Sequence, residues 1–210
     1  MPKNRFAALI LSALCTLQFS SAWAARSLVV TIFAHDELAD ISDQQLKKDY
    51  FQPWLDEMRS FTNHPIELVF QRSVPGITDI NYRNMTSDDI LDAFKEQVDA
   101  YTANNLFSFM NKNLLLTRHR YDDQSAVTFR AGLARQSRNT AISSMNSFAT
   151  PGHEIGHMLS ATHEDSRIRY NGWICETYMT PTRFDLRSNC YRYSDENRAK
   201  IADYLKYNSN

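Results

Sequence analysis

The stretch "HEIGHMLSATHE", His153 to Glu164, holds three of the chain's six histidines. Residues four apart lie on one face of a helix. His153 and His157 can therefore point two imidazole nitrogens at one metal ion. Glu154 projects one position round, beside the metal but off the ligand pair. That is the H-E-x-x-H arrangement, in which the glutamate serves as general base. His163 lies six residues beyond His157, and no straight helix brings those two together, so the helix has to end and the chain has to turn back. Three histidines would leave a fourth position open, the catalytic rather than the structural form of zinc coordination. A chance H-E-x-x-H is expected in roughly one per cent of chains of this length and histidine content. A third histidine at a fixed offset makes coincidence rarer still, so metal ligation is preferred over histidines that merely ride on a helix.

The elements that must position these residues can be read from the spacing of apolar residues. Thr150 can cap a helix with Pro151 at its first position, and that helix carries His153. Upstream, Ser27–Ala34 reads as a buried strand. A helix follows from Ser42, which with Gln45 resembles a capping box, to Phe61, with Pro53 expected to kink or split it. Ile66–Phe70 and Asn113–Thr117 read as strands, and Ser87–Tyr101 as a helix capped by Thr86 or Ser87. Ala126–Ser137 carries Arg130, Gly132 and Arg135 and reads as an edge strand. Asn139–Asn146 reads as a last short strand, and Ser194–Tyr207 as a terminal helix. The order predicts an α+β fold with an α/β-like N-terminal lobe. That lobe holds a mixed twisted sheet with an antiparallel edge strand and packed helices. A small, mostly irregular C-terminal lobe ends in a helix. The lobes are expected over about 25–163 and 164–210.

The first 24 residues read differently. Lys3 and Arg5 precede an apolar run from Phe6 to Phe19, and Ala22-Trp23-Ala24 offers a cleavage site. This is the layout of a secretory signal peptide, and the run is short of the roughly 20 residues a membrane span needs. The expected destination is the periplasm or the extracellular space, with no membrane insertion after cleavage. Cleavage removes Cys15 and leaves Cys175 and Cys190, an even pair in an exported chain, for which a disulfide is expected over two free buried thiols. The first strand starts almost at the cleavage point, which leaves no room for an N-terminal pro-segment. The formal net charge of -1 gives no overall pull toward nucleic acid.

"HEIGHMLSATHE" resembles the zinc-binding motif of the metzincin metallopeptidases, H-E-x-x-H-x-x-G-x-x-H. Met179, in "CETYMTP", sits where that clan has a methionine turn beneath the metal. The resemblance implies a metzincin-like fold, zinc on His153, His157 and His163, Glu154 as catalytic base, and Met179 packed below the site. It implies an extended protein or peptide substrate along the edge strand. It also implies a specificity pocket from "TPTRFD", where Arg183 would favour acidic or polar side chains. Two positions depart from the pattern. Ser160 stands where the clan has a glycine with positive φ, at a cost of about 1–2 kcal/mol. Pro181 stands where some members have an assisting tyrosine, so no tyrosine is assigned to the chemistry. Glu164 reads as a solvated carboxylate, with a contact to the mature N-terminus as the alternative.

The reading that follows is an exported zinc endopeptidase. Two others stand beside it: a zinc hydrolase of a non-peptide or cell-wall amide, and a catalytically silent binding or effector protein. Glu154 argues against the last, since a structural site has no need of it. His35-Asp36-Glu37 and His119 with Asp122 and Asp123 read as solvated loops in preference to cation sites.

Overall fold

The computed structural model describes residues 25–122, 130–183 and 186–209. The expected signal peptide, residues 1–24, lies outside them. So do Asp123 and the first part of the expected edge strand.

The protein is a mixed α+β fold. Five strands form a twisted sheet in the order β2-β1-β3-β5-β4: β1 Leu28–Ala34, β2 Ile66–Gln71, β3 Asn111–Thr117, β4 Gly132–Ala134 and β5 Thr140–Ser144. The first four in that order run parallel, and β4 pairs antiparallel with β5, Leu133 opposite Ile142. Parallel strands are apolar on both faces because helices cover both. Val30, Ile32, Leu114 and Leu116 pack on one face against Trp54, Met58, Ile155 and Ile201. Phe33, Leu115 and Ile142 pack on the other against Ile90, Phe94 and Val98. The alternation along β1 and β3 is the period-two rule of a strand.

The first helical region is split as Pro53 demands. α1, Asp43–Leu46, runs into a π-helical turn at Lys47–Phe51, and α2 covers Gln52–Phe61. Proline has no N–H and its ring crowds the carbonyl four residues back, so the helix widens there. Ser42 caps α1 through the Gln45 N–H, and Thr86 caps α3, Ser87–Tyr101, through the Asp89 N–H.

Four expectations are corrected. β3 begins two residues early because Lys112 is buried within it and hydrogen-bonded. The described part of the edge strand is three residues long, ending at Ala134 before a turn that holds Ser137 at φ +59°. α4, Thr150–Met158, is preceded by Ala149; Thr150 is its first residue and makes no cap. The region after His163 is less irregular than expected: β6 Ile168–Tyr170, β7 Ile174–Glu176 and β8 Ser188–Asn189 form a second sheet. A disulfide joins Cys175 of β7 to Cys190.

α5, Asp195–Asn208, is capped by Ser194 and returns to the main sheet. Arg198 grips the buried Glu57 of α2 with two hydrogen bonds of 2.8 and 2.6 Å. Tyr204 accepts from Lys112 at 2.7 Å. Ile201 and Leu205 join the same core as β1 and α4. Among the described residues no helix is long and apolar enough to cross a membrane.

Candidate metal centre

α4 sets two of the three histidines one turn apart, and its C-terminus sets the third. The Ser160 N–H donates to the carbonyl of His157 at 3.1 Å, and the Ala161 N–H to that of Gly156 at 2.9 Å. With Ser160 at φ +75°, this is a Schellman closure, which normally carries glycine at the left-handed position. Serine is held there by a hydroxyl contact of 2.8 Å with Ser137. The chain then turns back, as the spacing of His157 and His163 requires.

The turn brings the three rings together. The Nε2 atoms of His153, His157 and His163 lie 3.2, 2.9 and 3.0 Å apart pairwise. Tetrahedral ligation at 2.0–2.1 Å spaces nitrogens about 3.3 Å apart. Nδ1 of His153 lies 2.6 Å from the Tyr178 carbonyl, and Nδ1 of His157 lies 3.2 Å from the Ala161 carbonyl. A carbonyl only accepts, so both Nδ1 atoms carry the proton and both Nε2 atoms present lone pairs. Lone pairs so close repel one another unless a cation lies between them. Burial lowers the pKa of His153 to about 3 and, with His163 nearby, that of His157 to about 4; it lowers His163 too. Neutral imidazoles are the form a metal needs, so the donor set fits zinc. Among the described residues this is the one group of three or more histidine, cysteine or carboxylate side chains placed to hold an ion.

Glu154 is 4% exposed. Burial raises its pKa to about 8, against the pull of Arg130. Its carboxyl lies on the backbone of β4. A Cβ built on Gly132 would come within 2.5 Å of Glu154 Oε1, so the glycine lets the edge strand pass over the acid. Sequence reasoning had read Gly132 only as blunting an edge. Met179 is fully buried against α4: a Cβ on Gly156 would meet its Sδ at 2.6 Å. It lies beneath the turn of helix that joins His153 to His157. The Tyr178 and Tyr193 rings are buried, and the Tyr193 hydroxyl donates to the Gly152 carbonyl at 2.5 Å. A cleft of about 540 Å³ opens over the histidines and Glu154, walled by β4 and by Thr180, Pro181 and Arg183. Glu164 is exposed in the same cleft.

The other two clusters take structural parts. His35 accepts from the Glu37 N–H, and Glu37 accepts from Tyr82 Oη at 2.5 Å and the Arg118 N–H at 2.8 Å. The segment is a hydrogen-bonded 3-10 turn instead of a solvated loop. Asp122 accepts from the Ser87 N–H at 2.9 Å and fastens the start of α3.

No protein-family model matches the chain, and no curated protein matches it in sequence. Solved structures do match it in shape. Metalloproteinase-II from Bacteroides fragilis superposes with a TM-score of 0.64 at 14% identity, over 88% of this chain and 55% of that one. A chaperone–substrate complex matches with a TM-score of 0.54 at 13% identity, over 89% of this chain and 36% of the other. A zinc-dependent peptidase from Methanocorpusculum labreanum gives 0.48 at 17% identity, over 82% and 99%. The chain spans about half the length of the first of these and about a third of the second. At such identities the likeness is one of fold: a twisted mixed sheet with packed helices, similar to that of a bacterial metalloproteinase.

Proposed function

We propose that the protein is an exported zinc-dependent endopeptidase in which Glu154 is the general base. The observation that carries the reading is the convergence of three Nε2 atoms beside a buried glutamate that lies under an edge strand. His153, His157 and His163 would hold the metal. Zinc, when bound, supplies Lewis acidity that activates a water and polarises the scissile carbonyl.

The remaining work falls to this chain's own residues. Glu154 takes the proton of the attacking water on a carboxylate oxygen and returns it to the leaving amide nitrogen. A carboxyl beside the attacking water can do both, as base and then as acid. Among the described residues β4 pairs with β5 along one edge only, so its other edge would offer main-chain N–H and C=O groups to an extended peptide. The Tyr178 and Ala161 carbonyls hold two of the rings in the ligating tautomer. Export is supported by the disulfide, which oxidising compartments favour.

The test is digestion of an unfolded protein by the purified chain, beside measurement of bound zinc, with and without a chelator, and with Glu154→Gln. Chelator-sensitive cleavage, lost in a variant that still binds zinc, is expected. Bound zinc without cleavage of any peptide would refute an endopeptidase and favour a non-peptide amide or a silent protein. Failure to bind zinc would refute the metal centre itself.

A further inference from the structure

We propose that the Cys175–Cys190 disulfide is a redox clamp on the metal centre. Closed, it holds His153 in its ligating pose; opened by a dithiol, it frees that ring and loosens the hold on zinc. The inference rests on the three-histidine centre proposed above and not on peptide cleavage. Cys175 lies in β7 and Cys190 follows β8, two strands that run parallel with Cys175 opposite Ser188 and Glu176 opposite Asn189. The two segments stay side by side beyond the strands. The Cys190 N–H donates to the Glu176 carbonyl at 2.9 Å, and the Tyr178 N–H to the Arg192 carbonyl at 2.8 Å. Each segment then delivers one contact to the same turn of α4. The Tyr178 carbonyl lies 2.6 Å from Nδ1 of His153, and the Tyr193 hydroxyl donates to the Gly152 carbonyl. The disulfide is the covalent tie between the two segments that set His153.

The other two rings are held elsewhere. The Ala161 carbonyl orients His157, and His163 follows Thr162, which Asn197 holds. Opening the disulfide therefore acts on one ligand of the three. Cys175 is 1% exposed and Cys190 is partly exposed, so attack falls on Cys190. A thiolate of the dithiol attacks Cys190 Sγ, the S–S bond breaks, and Cys175 leaves as a thiolate that takes a proton. The second thiol of the reductant then attacks the mixed disulfide and frees Cys190. Two electrons pass to the cysteine pair from the dithiol, which ends as a disulfide. With the loop no longer closed, the stretch that carries Tyr178 regains conformational freedom. The carbonyl that fixes the tautomer and orientation of His153 is then held less firmly. Loss of such a contact lowers metal affinity about 10- to 100-fold. A reduced chain thus binds zinc weakly and an oxidised one tightly, which ties completion of the centre to an oxidising compartment.

The experiment measures zinc affinity by competition with a chromophoric chelator. It uses the purified protein oxidised, then reduced with dithiothreitol and freed of it in the absence of air, then reoxidised. An affinity about 10- to 100-fold lower in the reduced protein, restored on reoxidation, is expected. Cys175→Ala combined with Cys190→Ala should match the reduced protein, and it has no thiols that could themselves take zinc. The reduced wild type keeps the test informative should that double variant fail to fold. The loss on reduction should persist in His163→Ala and vanish in His153→Ala, because only the latter removes the ring that the clamp sets. Far-UV circular dichroism follows the fold throughout. Equal affinity before and after reduction, or an undiminished loss in His153→Ala, overturns the clamp. Unfolding of the whole chain on reduction overturns it too, since the pair would then be a staple of the entire fold. An oxidised protein that binds no zinc overturns the metal centre instead, and this inference with it.

Discussion

Asn197 of α5 holds Thr162 by both of its backbone polar groups. The Thr162 N–H donates to Asn197 Oδ1 at 2.8 Å, and Asn197 Nδ2 donates to the Thr162 carbonyl at 3.1 Å. Thr162 lies between Ala161, whose carbonyl orients His157, and His163, the third ring of the cluster. The amide is fully buried and sits on a helix that Arg198 fastens to Glu57. The terminal helix thus sets the return of the chain that closes the three-histidine cluster.

Asn197→Ala would leave both groups of Thr162 without their partner. Buried groups left so cost about 1–3 kcal/mol, and removal of a group that orients a ligand lowers metal affinity about 10- to 100-fold. Competition with a chromophoric chelator measures that loss. Asn197→Asp, which keeps the acceptor and loses the donor, should fall between alanine and the wild type. Undiminished zinc affinity in Asn197→Ala would show that His163 is held by other contacts.

Ser160 and Ser137 both have positive φ and share a hydroxyl contact. Ser160→Gly removes a left-handed penalty of about 1–2 kcal/mol but also a hydrogen bond worth about 0.5–1.5 kcal/mol. The net change in urea stability should be small. In a Ser137→Ala background, where the contact is already gone, the same substitution should stabilise by about 1 kcal/mol. Equal effects in both backgrounds would mean the two hydroxyls are not coupled.

Gly132→Ala tests the close approach of β4 to Glu154. The new methyl would lie 2.5 Å from Oε1, so the acid or the strand has to move. Displacement of a reacting group by about 1 Å can cost about 100-fold in rate. On the proposed endopeptidase reading, activity should fall by that order while zinc stays bound. Loss of zinc together with activity would mean that the strand shift reaches the histidines.

The main sheet and its helices were readable because their residues obey simple periods: two along β1 and β3, near 3.6 along α3. The meeting of the three histidines was readable because a spacing of four and then six demands a helix followed by a return of the chain. The features that escaped carry no such period. β6, β7 and β8 are two or three residues long and partly exposed, so no alternation accumulates. Gly132 acts through a contact with a residue 22 positions away, and Asn197 through one 35 positions away. Neither partner is visible until the chain is folded. Thr150 looked like a cap because it precedes a proline, but the helix begins with Thr150 itself. Lys112 in a sheet interior is the opposite case. Composition argues against it, and only the arrival of three acceptors explains it.

Lys112 also gives the fold a pH dependence of stated sign. Its ammonium donates to the Arg138 carbonyl at 3.0 Å, to Asn139 Oδ1 at 3.2 Å and to Tyr204 Oη at 2.7 Å. Burial nevertheless lowers its pKa to about 7, against about 10.4 for an unfolded lysine. Below pH 7 both states hold the proton. Between about pH 7 and 10 the unfolded chain retains a proton that the folded chain has released, so unfolding takes up a proton and stability rises with pH. Each pH unit within that window contributes up to about 1.4 kcal/mol. Urea unfolding of the wild type should therefore show a midpoint that climbs from pH 7 to pH 9. Lys112→Met should lack that rise, and Tyr204→Phe, which removes one acceptor, should shift its onset to lower pH. Parallel profiles for wild type and Lys112→Met would mean that the three acceptors hold the ammonium charged throughout the range, at no cost to the fold.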